Sequence, residues 1–398
     1  MFRFEIPTRT SLFVAPLEDR CVPDASTTGS IANTLTPPLV TTQIVSQPTP
    51  SARYAVGTGA GSNGMVNIYD ATTNNLISTV TPFGTSYTGG VRVAMADLNG
   101  DGISDLVAAT ATGPAHVVVI DGATSATLGD FTPFAAAKGG AFVATGDVNG
   151  DGRADLIVGS GAGTAPQVLV YAGQSFQPTT ATTETATAVT ASTLNTAYSK
   201  VALPQIVTNP TAINTFTPSN GDANFGVRVA AGDLNGDGKA EVFTASANSV
   251  LSNSLSLVNA KASPTRRGAI LQTVVTSKSI QFPTKPDTAG MFVAVGDYSG
   301  TGRNDVAAGF VANGIARVRV VNGNDGRTMV MDAYSFNASP DGGVAIAMRD
   351  VNGDGKADVL AASGIGTSIV RVINGGMGGL ITSFSAFDKS VQGGVYIG

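Results

Sequence analysis

Short runs in which apolar residues alternate with small or polar ones recur along the chain from Tyr54 onward. Each run ends at a turn rich in Gly, Asn or Asp, which is typical of antiparallel β-strands joined by tight connections. The clearest unit spans residues 89–133 and contains four runs: Val91–Ala96, Leu106–Ala109, His116–Ile120 and Thr127–Phe131. Four strands in a repeating unit predict the blade of a β-propeller.

A polar nonapeptide lies in the same place in the repeating units, between the first and second runs. Its fullest form is Asp-x-Asn-Gly-Asp-Gly-x-x-Asp, and five copies begin at Asp97, Asp147, Asp233, Asp297 and Asp350. The longest interval between copies contains a Thr/Ala-rich stretch, residues 176–214. We interpret this stretch as an insertion between the third and fourth strands of its unit, and the alternative is a degenerate additional blade.

The two ends of the repeat region complement each other. Residues 54–61 match the second strand of a later unit, residues 156–163, so the first unit lacks its own first strand. Residues 393–398 match a first strand. Pairing them would remove the two exposed sheet edges of an open array. The sequence therefore predicts an all-β fold over residues 53–398: a six-bladed β-propeller of four-stranded antiparallel blades, closed by the C-terminal strand.

The nonapeptides predict calcium sites. Ca²⁺ takes six to eight oxygen ligands in irregular geometry, and a loop with oxygens at positions 1, 3, 5 and 9, the carbonyl of position 7 and water could supply them. Glycine at position 6 permits the sharp turn that such a loop needs. We expect up to five Ca²⁺ ions. The candidate ligands, by loop, are Asp97, Asn99, Asp101, Ile103 and Asp105; Asp147, Asn149, Asp151, Arg153 and Asp155; Asp233, Asn235, Asp237, Lys239 and Glu241; Asp297, Ser299, Thr301, Arg303 and Asp305; Asp350, Asn352, Asp354, Lys356 and Asp358.

Two other interpretations of the nonapeptides were weighed. An EF-hand needs a bidentate acid at position 12, but that position holds Ala108, Val158, Thr244, Ala308 or Ala361. A turn without metal stays open, because Asn-Gly and Asp-Gly form turns unaided. Against it, crowded carboxylates repel one another and raise each other's pKa, which a divalent cation would relieve. The loop that begins at Asp297 has two carboxylates and is expected to bind most weakly.

The composition argues against nucleic-acid binding, disulfide bonds and a transmembrane helix. The net charge is −5, and half of the 28 acidic residues sit at positions 1, 5 and 9 of the nonapeptides. The sequence shows no stripe of Lys and Arg interleaved with aromatics, so nucleic-acid binding is not predicted. Cys21 is the only cysteine, which excludes an intramolecular disulfide. No apolar run is long enough for a transmembrane helix.

Catalytic chemistry has no clear signature in this sequence. His116, the single histidine, begins a strand, and neither a nucleophile elbow, an HExxH motif nor a phosphate-binding loop is present. Ions in equivalent loops would repeat around a ring instead of converging on one pocket. We therefore predict structural metal ions, no catalytic or organic-cofactor residues, and no enzyme activity.

The N-terminal residues carry a weak export signal. Residues 1–23 contain Leu17-Glu18-Asp19-Arg20 and Pro23, which are similar to the LEDR-type leader of exported bacterial proteins. Residues 24–52 are rich in Ser, Thr and Pro and are predicted to be a linker.

The repeat region resembles the FG-GAP/VCBS repeats, which include the propeller head of integrin α-subunits. The likeness is carried by Phe225-Gly226-Val227, by Gly-Asp before the loop (Gly146-Asp147, Gly232-Asp233 and Gly296-Asp297) and by the acidic loop itself. The integrin head has seven blades, whereas six are predicted here. The resemblance implies an extracellular or cell-surface adhesion module of bacterial origin that binds a protein or a surface glycan.

Two rival functions remain open. A carbohydrate-binding lectin would present aromatic platforms on one rim, but Trp is absent and aromatics make up 6%. A propeller enzyme, such as a polysaccharide lyase or hydrolase, would show one deep central pocket with clustered Tyr, Arg or acidic side chains.

Overall fold

The computed structural model describes residues 52–178, 205–218, 226–246, 254–262, 271–274, 279–281, 291–336 and 343–398. The chain divides into two units, residues 1–46 and 47–398, and every described residue belongs to the second. The predicted leader and nearly all of the predicted linker lie outside the described residues, as do residues 179–204 of the predicted insertion. Among the described residues, no helix has both the length and the apolar character needed to cross a membrane.

The described residues form 25 strands and one short 3₁₀ helix, Gly173–Phe176. The strands of the first half are β1 (Arg53–Thr58), β2 (Val66–Asp70), β3 (Leu76–Val80), β4 (Val91–Ala96), β5 (Asp105–Thr110), β6 (Val117–Ile120), β7 (Thr127–Phe131), β8 (Ala141–Gly146), β9 (Asp155–Ser160), β10 (Val168–Tyr171) and β11 (Ala212–Phe216). Those of the second half are β12 (Val227–Gly232), β13 (Glu241–Ser246), β14 (Ser254–Ala262), β15 (Leu271–Val274), β16 (Ser279–Gln281), β17 (Phe292–Gly296), β18 (Asp305–Ala312), β19 (Ile315–Val321), β20 (Met329–Phe336), β21 (Val344–Arg349), β22 (Asp358–Ser363), β23 (Ile369–Ile373), β24 (Leu380–Ser385) and β25 (Val395–Ile397).

The architecture is all-β, with four-stranded antiparallel blades in a propeller arrangement. Four blades are meanders of consecutive strands: β4 to β7, β8 to β11, β17 to β20 and β21 to β24. A fifth has the order β25-β1-β2-β3. Each meander arises because short β-branched runs alternate with turns that return the chain antiparallel to itself.

The prediction of six four-stranded blades is wrong: five sheets have that form among the described residues. The remaining sheet, which begins with β12, has five strands. Its third strand, β14, is nine residues long and pairs with β16 along Ser254–Ser256 and with β15 along Asn259–Ala262. A strand of that length has room for two partners along one edge, so two short strands take the place of one.

The C-terminal strand closes the first blade, as predicted. β25 pairs antiparallel with β1, with Ile397 opposite Val56. Backbone hydrogen bonds extend the pairing at both ends, since Ala55 N–H donates to Gly398 O and Gly59 N–H donates to Gly394 O, each at 2.8 Å. The inner edge of β1 is therefore satisfied by the far end of the chain.

A long connection lies between β10 and β11. β11 pairs with β10, so the chain between them separates the third and fourth strands of one blade. Part of this connection reaches the neighbouring blade: Val207 N–H donates to Leu128 O and Asp130 N–H donates to Val207 O, both at 2.9 Å. Val207 thus adds a short bridge to the outer strand β7.

The hydrophobic core lies between the faces of neighbouring sheets. One cluster joins Val107 and Phe131 of one blade to Leu156 and Tyr171 of the next. At the centre, the inner strands β4, β8, β12, β17, β21 and β25 line a cavity of about 60 Å³ that is open to solvent. The acidic loops all leave the C-terminal ends of inner strands, so the fold places them in equivalent positions.

Candidate metal sites in the acidic loops

Each acidic loop connects the first and second strands of its sheet. Position 1 follows the inner strand directly, and position 9 is the first residue of the second strand, as with Asp105 in β5 and Asp358 in β22. The residue at position 2 is buried in every loop and anchors it between blades: Leu98, Val148, Leu234, Tyr298 and Val351. The structure therefore puts all five predicted loops in one structural role.

Two glycines shape each loop. In the first, Gly100 and Gly102 at positions 4 and 6 have φ angles of +80° and +87°, and both glycines of the other four loops are also in the left-handed region. A residue with a side chain is strained there. The backbone path of each loop therefore requires both glycines.

The carboxylate at position 1 organises the turn. Gly100 N–H donates to Asp97 Oδ1 at 2.6 Å and Gly102 N–H donates to Asp97 Oδ2 at 2.8 Å. Asp147, Asp233 and Asp350 accept the same pair of bonds. Asp297 accepts from Thr301 and Gly302 instead. The position-1 carboxylate therefore holds the backbone of the turn in place in all five loops.

The side chains at positions 3 and 5 accept hydrogen bonds from the loop backbone. In the first loop, Asn99 Oδ1 accepts from Asp101 N–H at 2.8 Å, and Asp101 Oδ1 accepts from Ile103 N–H at 2.8 Å. In the second, Asn149 Oδ1 is buried and has no hydrogen-bond partner. A buried carbonyl oxygen without a partner is costly, and this oxygen is one of the predicted metal ligands.

The position-9 carboxylate lies beneath the loop. Asp105 is fully buried. Its Oδ2 accepts from Leu98 N–H at 2.9 Å and from Asn99 N–H at 3.2 Å, while its Oδ1 accepts from Gly122 N–H at 3.0 Å. Gly122 belongs to the turn after the third strand, so one side chain ties two loops of the blade together. Asp155, Asp305 and Asp358 make the equivalent bond to Gly173, Gly323 and Gly375.

Burial changes the acidity of these groups. It raises the pKa of Asp105 and of Asp155 to about 6, although the backbone N–H donors act in the opposite direction. Burial also raises the pKa of Glu241 and of Asp358. A carboxylate that is desolvated in this way is stabilised in its ionised form by a nearby cation.

The loop that begins at Asp233 brings its carboxylates closest together. Asp233, Asp237 and Glu241 each offer an oxygen, and these oxygens lie within 4.8 Å of one another. Among the described residues, no other group of three His, Cys, Asp or Glu side chains meets this spacing.

The side chain at position 7 contacts the preceding loop. The sequence did not predict this contact, because only the backbone carbonyl of position 7 was assigned a role there. Arg153 Nη1 donates to Asn99 O of the preceding loop at 3.0 Å. The Lys239 and Lys356 side chains lie over Gly150 and Gly300, again in the preceding loop. Position 7 is basic in four of the five loops (Arg153, Lys239, Arg303 and Lys356), which is the signal that sequence reasoning could have used.

Backbone hydrogen bonds also join neighbouring loops. Ala154 N–H donates to Asp97 O at 3.2 Å, Ala240 N–H donates to Asp147 O at 2.6 Å, and Ala357 N–H donates to Asp297 O at 2.8 Å. In each pair, position 8 of one loop donates to position 1 of the loop before it. In these three pairs, neighbouring acidic loops are therefore hydrogen-bonded to each other along one rim of the propeller.

Two stretches of the chain match known repeat families. Residues 97–158 match the model of the FG-GAP-like repeat, and residues 225–255 match that of the FG-GAP repeat. Both matches contain acidic loops together with the strands that follow them. The chain contains FG-GAP-type repeats in these two stretches. No curated protein matches its sequence significantly.

Solved structures are similar to this FG-GAP protein at low sequence identity. A protein of unknown function from Bacteroides caccae matches with 9% identity and a TM-score of 0.47, covering 87% of this chain and 99% of that one. The rhamnogalacturonan lyase PL11 of Bacillus licheniformis matches with 13% identity and a TM-score of 0.35, covering 82% of this chain and 52% of that one. U3-55K matches with 11% identity and a TM-score of 0.41, covering 81% and 76%.

Proposed function

We propose that this FG-GAP propeller is a calcium-binding, non-catalytic interaction module, with up to five Ca²⁺ ions held in its acidic loops. The observation that carries the proposal is the repetition of one loop geometry in five sheets. Each loop presents several oxygen donors, and no loop contains His or Cys. Oxygen-only donor sets suit hard cations, and flexible geometry favours Ca²⁺ over Mg²⁺, which requires a near-ideal octahedron.

Two features of the loops fit a bound cation. The buried Asn149 Oδ1 has no hydrogen-bond partner, so a metal ion would satisfy it. The three carboxylates of the Asp233 loop converge to within 4.8 Å, which places like charges together. A Ca²⁺ ion would supply the opposing charge there, and its binding would be coupled to the stability of the fold.

The calcium proposal is tested by thermal unfolding in EGTA and in saturating Ca²⁺. We expect a higher Tm in Ca²⁺, because a ligand that binds only the folded state adds about 2.7 kcal/mol per site at 100 times its Kd. Asp237→Asn should reduce the calcium-dependent rise, since it removes one of the three converging carboxylates.

Asp388→Asn is the matched control, because Asp388 is an exposed aspartate outside the acidic loops. It should leave the calcium-dependent rise unchanged. Equal melting temperatures with and without Ca²⁺ would contradict the proposal.

The place of action follows from the leader-like sequence and the repeat family. We infer that the protein is exported by a bacterium and acts at the cell surface or outside the cell, binding a protein or a surface glycan as an adhesion module. Expression of the full chain in a bacterial host, followed by protease treatment of intact cells, tests this. Protein that resists protease until the cells are lysed would place it inside.

One observation favours the alternative of a propeller enzyme, a lyase or hydrolase. The central cavity has Arg92, Arg228 and Tyr396 in its lining. No His, Asp or Glu lines it among the described residues, so the side chains present are better suited to binding than to acid–base catalysis. Cleavage of an acidic polysaccharide by the purified protein, lost in Tyr396→Phe, would establish the alternative.

A further inference from the structure

The central cavity is surrounded by one side chain from each inner strand. Every inner strand contributes the residue that lies two positions after a glycine, and these six residues, in ring order, are Arg92, Phe142, Arg228, Phe292, Ala345 and Tyr396. We call this set the channel ring. Guanidinium and aromatic groups alternate around four of its positions, and Ala345 leaves a gap where a large side chain would otherwise stand.

The aromatic rings hold the guanidinium groups in place. The guanidinium carbon of Arg92 is 3.7 Å from the centre of the Phe142 ring, and that of Arg228 is 3.8 Å from the centre of the Phe292 ring. Phe292 and Tyr396 face each other across Ala345, with ring centres 6.3 Å apart. Stacking on an aromatic face fixes the plane of a guanidinium and leaves its N–H groups at the edge available as donors.

The donors of these two arginines are not all used by the protein. Arg92 Nη1 donates to Gly139 O at 3.2 Å and to Ala141 O at 3.0 Å, but its Nε has no partner. Arg228 is 8% exposed, and both its Nε and its Nη1 are buried without a partner. A buried cation with unsatisfied donors is unfavourable unless an anion pairs with it.

The surroundings of the two arginines supply no such anion. Among the described residues, the lining of the cavity contains no acidic side chain. Burial lowers the pKa of Arg228 to about 9, and the positive charge of Arg92 adds to this shift. The group remains cationic at neutral pH, so two like charges share the cavity.

We propose that the channel ring binds a small carboxylate, with Arg228 as its principal donor and Arg92 as the second. A guanidinium makes charge-assisted hydrogen bonds to a carboxylate and matches its planar geometry. Beyond the ring, the wall is apolar, formed by residues such as Val143, Val229 and Ile346. This wall suits a ligand with one charged end and an apolar body, whereas phosphate would place polar oxygens against it.

Titration calorimetry of the full chain with sodium propionate tests the proposal, with 1-propanol as the uncharged analogue and inorganic phosphate as the competing anion class. We expect saturable binding of propionate, at least tenfold weaker binding of 1-propanol, and weaker binding of phosphate. Equal affinity for propionate and 1-propanol would show that the cavity does not recognise the carboxylate, and it would overturn the proposal. Tighter binding of phosphate, or no saturable binding of propionate, would also overturn it.

Arg228→Met and Arg327→Met form a matched pair, since Arg327 is an exposed arginine outside the cavity. Propionate affinity should fall at least tenfold in R228M and stay unchanged in R327M. In buffer without propionate, the Tm of R228M should equal or exceed that of the parent, because an unpaired buried charge has been removed. Undiminished propionate binding by R228M would assign Arg228 a structural role only, and a lower Tm for R228M in that buffer would contradict the inference that its charge is unpaired.

Ala345→Leu keeps the test valid if R228M fails to fold. It fills the gap in the channel ring without altering either arginine, so it should abolish propionate binding. Retained binding in A345L would show that the ligand lies elsewhere. The test involves no acidic loop, so its outcome is independent of calcium binding.

Discussion

The carboxylate at position 9 of an acidic loop could hold the backbone of the blade together, bind a metal ion, or do both. Asp105 accepts three backbone N–H bonds while fully buried, which is a structural role that needs no metal. Asp101, at position 5 of the same loop, is exposed and accepts from Ile103 N–H. The two acids look equivalent in the nonapeptide, but the structure gives them different environments.

Substitution at these two positions separates the roles. Asp105→Asn should lower the free energy of unfolding in EGTA by about 1–3 kcal/mol, because an amide NH₂ would face N–H donors and leave them unsatisfied. Asp101→Asn retains its Oδ1 acceptor and should be nearly neutral in EGTA, with its effect appearing only in Ca²⁺. Urea denaturation in both conditions measures this. Equal destabilisation by the two variants in EGTA would contradict the assignment.

The sequence predicted the positions of the acidic loops, but it did not predict the contacts that their residues make. Spacing identified all five loops and their oxygen-bearing positions. It did not show that Asp105 also secures Gly122 in another turn of its blade, or that Arg153 reaches the preceding loop. Both contacts join residues that are distant along the chain, and a pattern of nine residues does not indicate partners outside it.

Strands with clear alternation of apolar and polar residues could be predicted from the sequence. The strand pairing of the sheet that begins with β12 could not. The composite blade could be predicted because residues 54–61 and 393–398 each match an identifiable strand of a complete unit. The pairing of β14 with both β15 and β16 could not be predicted, because the partners of a strand depend on register across turns. The prediction of four strands was therefore wrong for the sheet that begins with β12.

A glycine with little space around it directly precedes β25, the strand that closes the first blade. Gly394 has a φ of +74°, and a Cβ at this position would lie 1.5 Å from Gly364 O. Gly366 has a φ of +90°, yet a Cβ there would meet nothing within 4 Å. The two glycines therefore share left-handed backbone geometry and differ in the space around them.

Alanine at each glycine tests how much closure contributes to stability. Gly366→Ala should cost about 1–2 kcal/mol from backbone strain alone. Gly394→Ala should cost clearly more, because the methyl group forces β25 away from the neighbouring backbone. Urea denaturation of both variants gives the comparison, and similar losses would show that docking of β25 adds little.

For the whole molecule, the composite blade differs from the other four-stranded blades in lacking an acidic loop. Its β25 and β1 correspond to a first and a second strand, but no nonapeptide connects them. The register is nevertheless the same: Ile397 lies opposite Val56, as Val93 lies opposite Ala108. A connecting loop of the standard length would therefore fit between them.

A circular permutant of residues 54–398 tests this equivalence. It would begin at Gly393, run to Gly398, continue through a copy of residues 95–105 into Tyr54, and end at Gln392. We expect the same β-sheet circular dichroism and, under the calcium proposal, one additional bound Ca²⁺ by equilibrium dialysis. An aggregated product, or an unchanged calcium count in a folded one, would argue against equivalent geometry.

Tyr396 belongs both to the strand that closes the first blade and to the channel ring. During synthesis on the ribosome, β25 emerges after every other strand of the propeller has been made. The ring therefore lacks one aromatic wall until the last strand has left the exit tunnel and docked. Any carboxylate that needs this wall would be retained only after β25 has docked on β1, so its capture would report that the ring has closed.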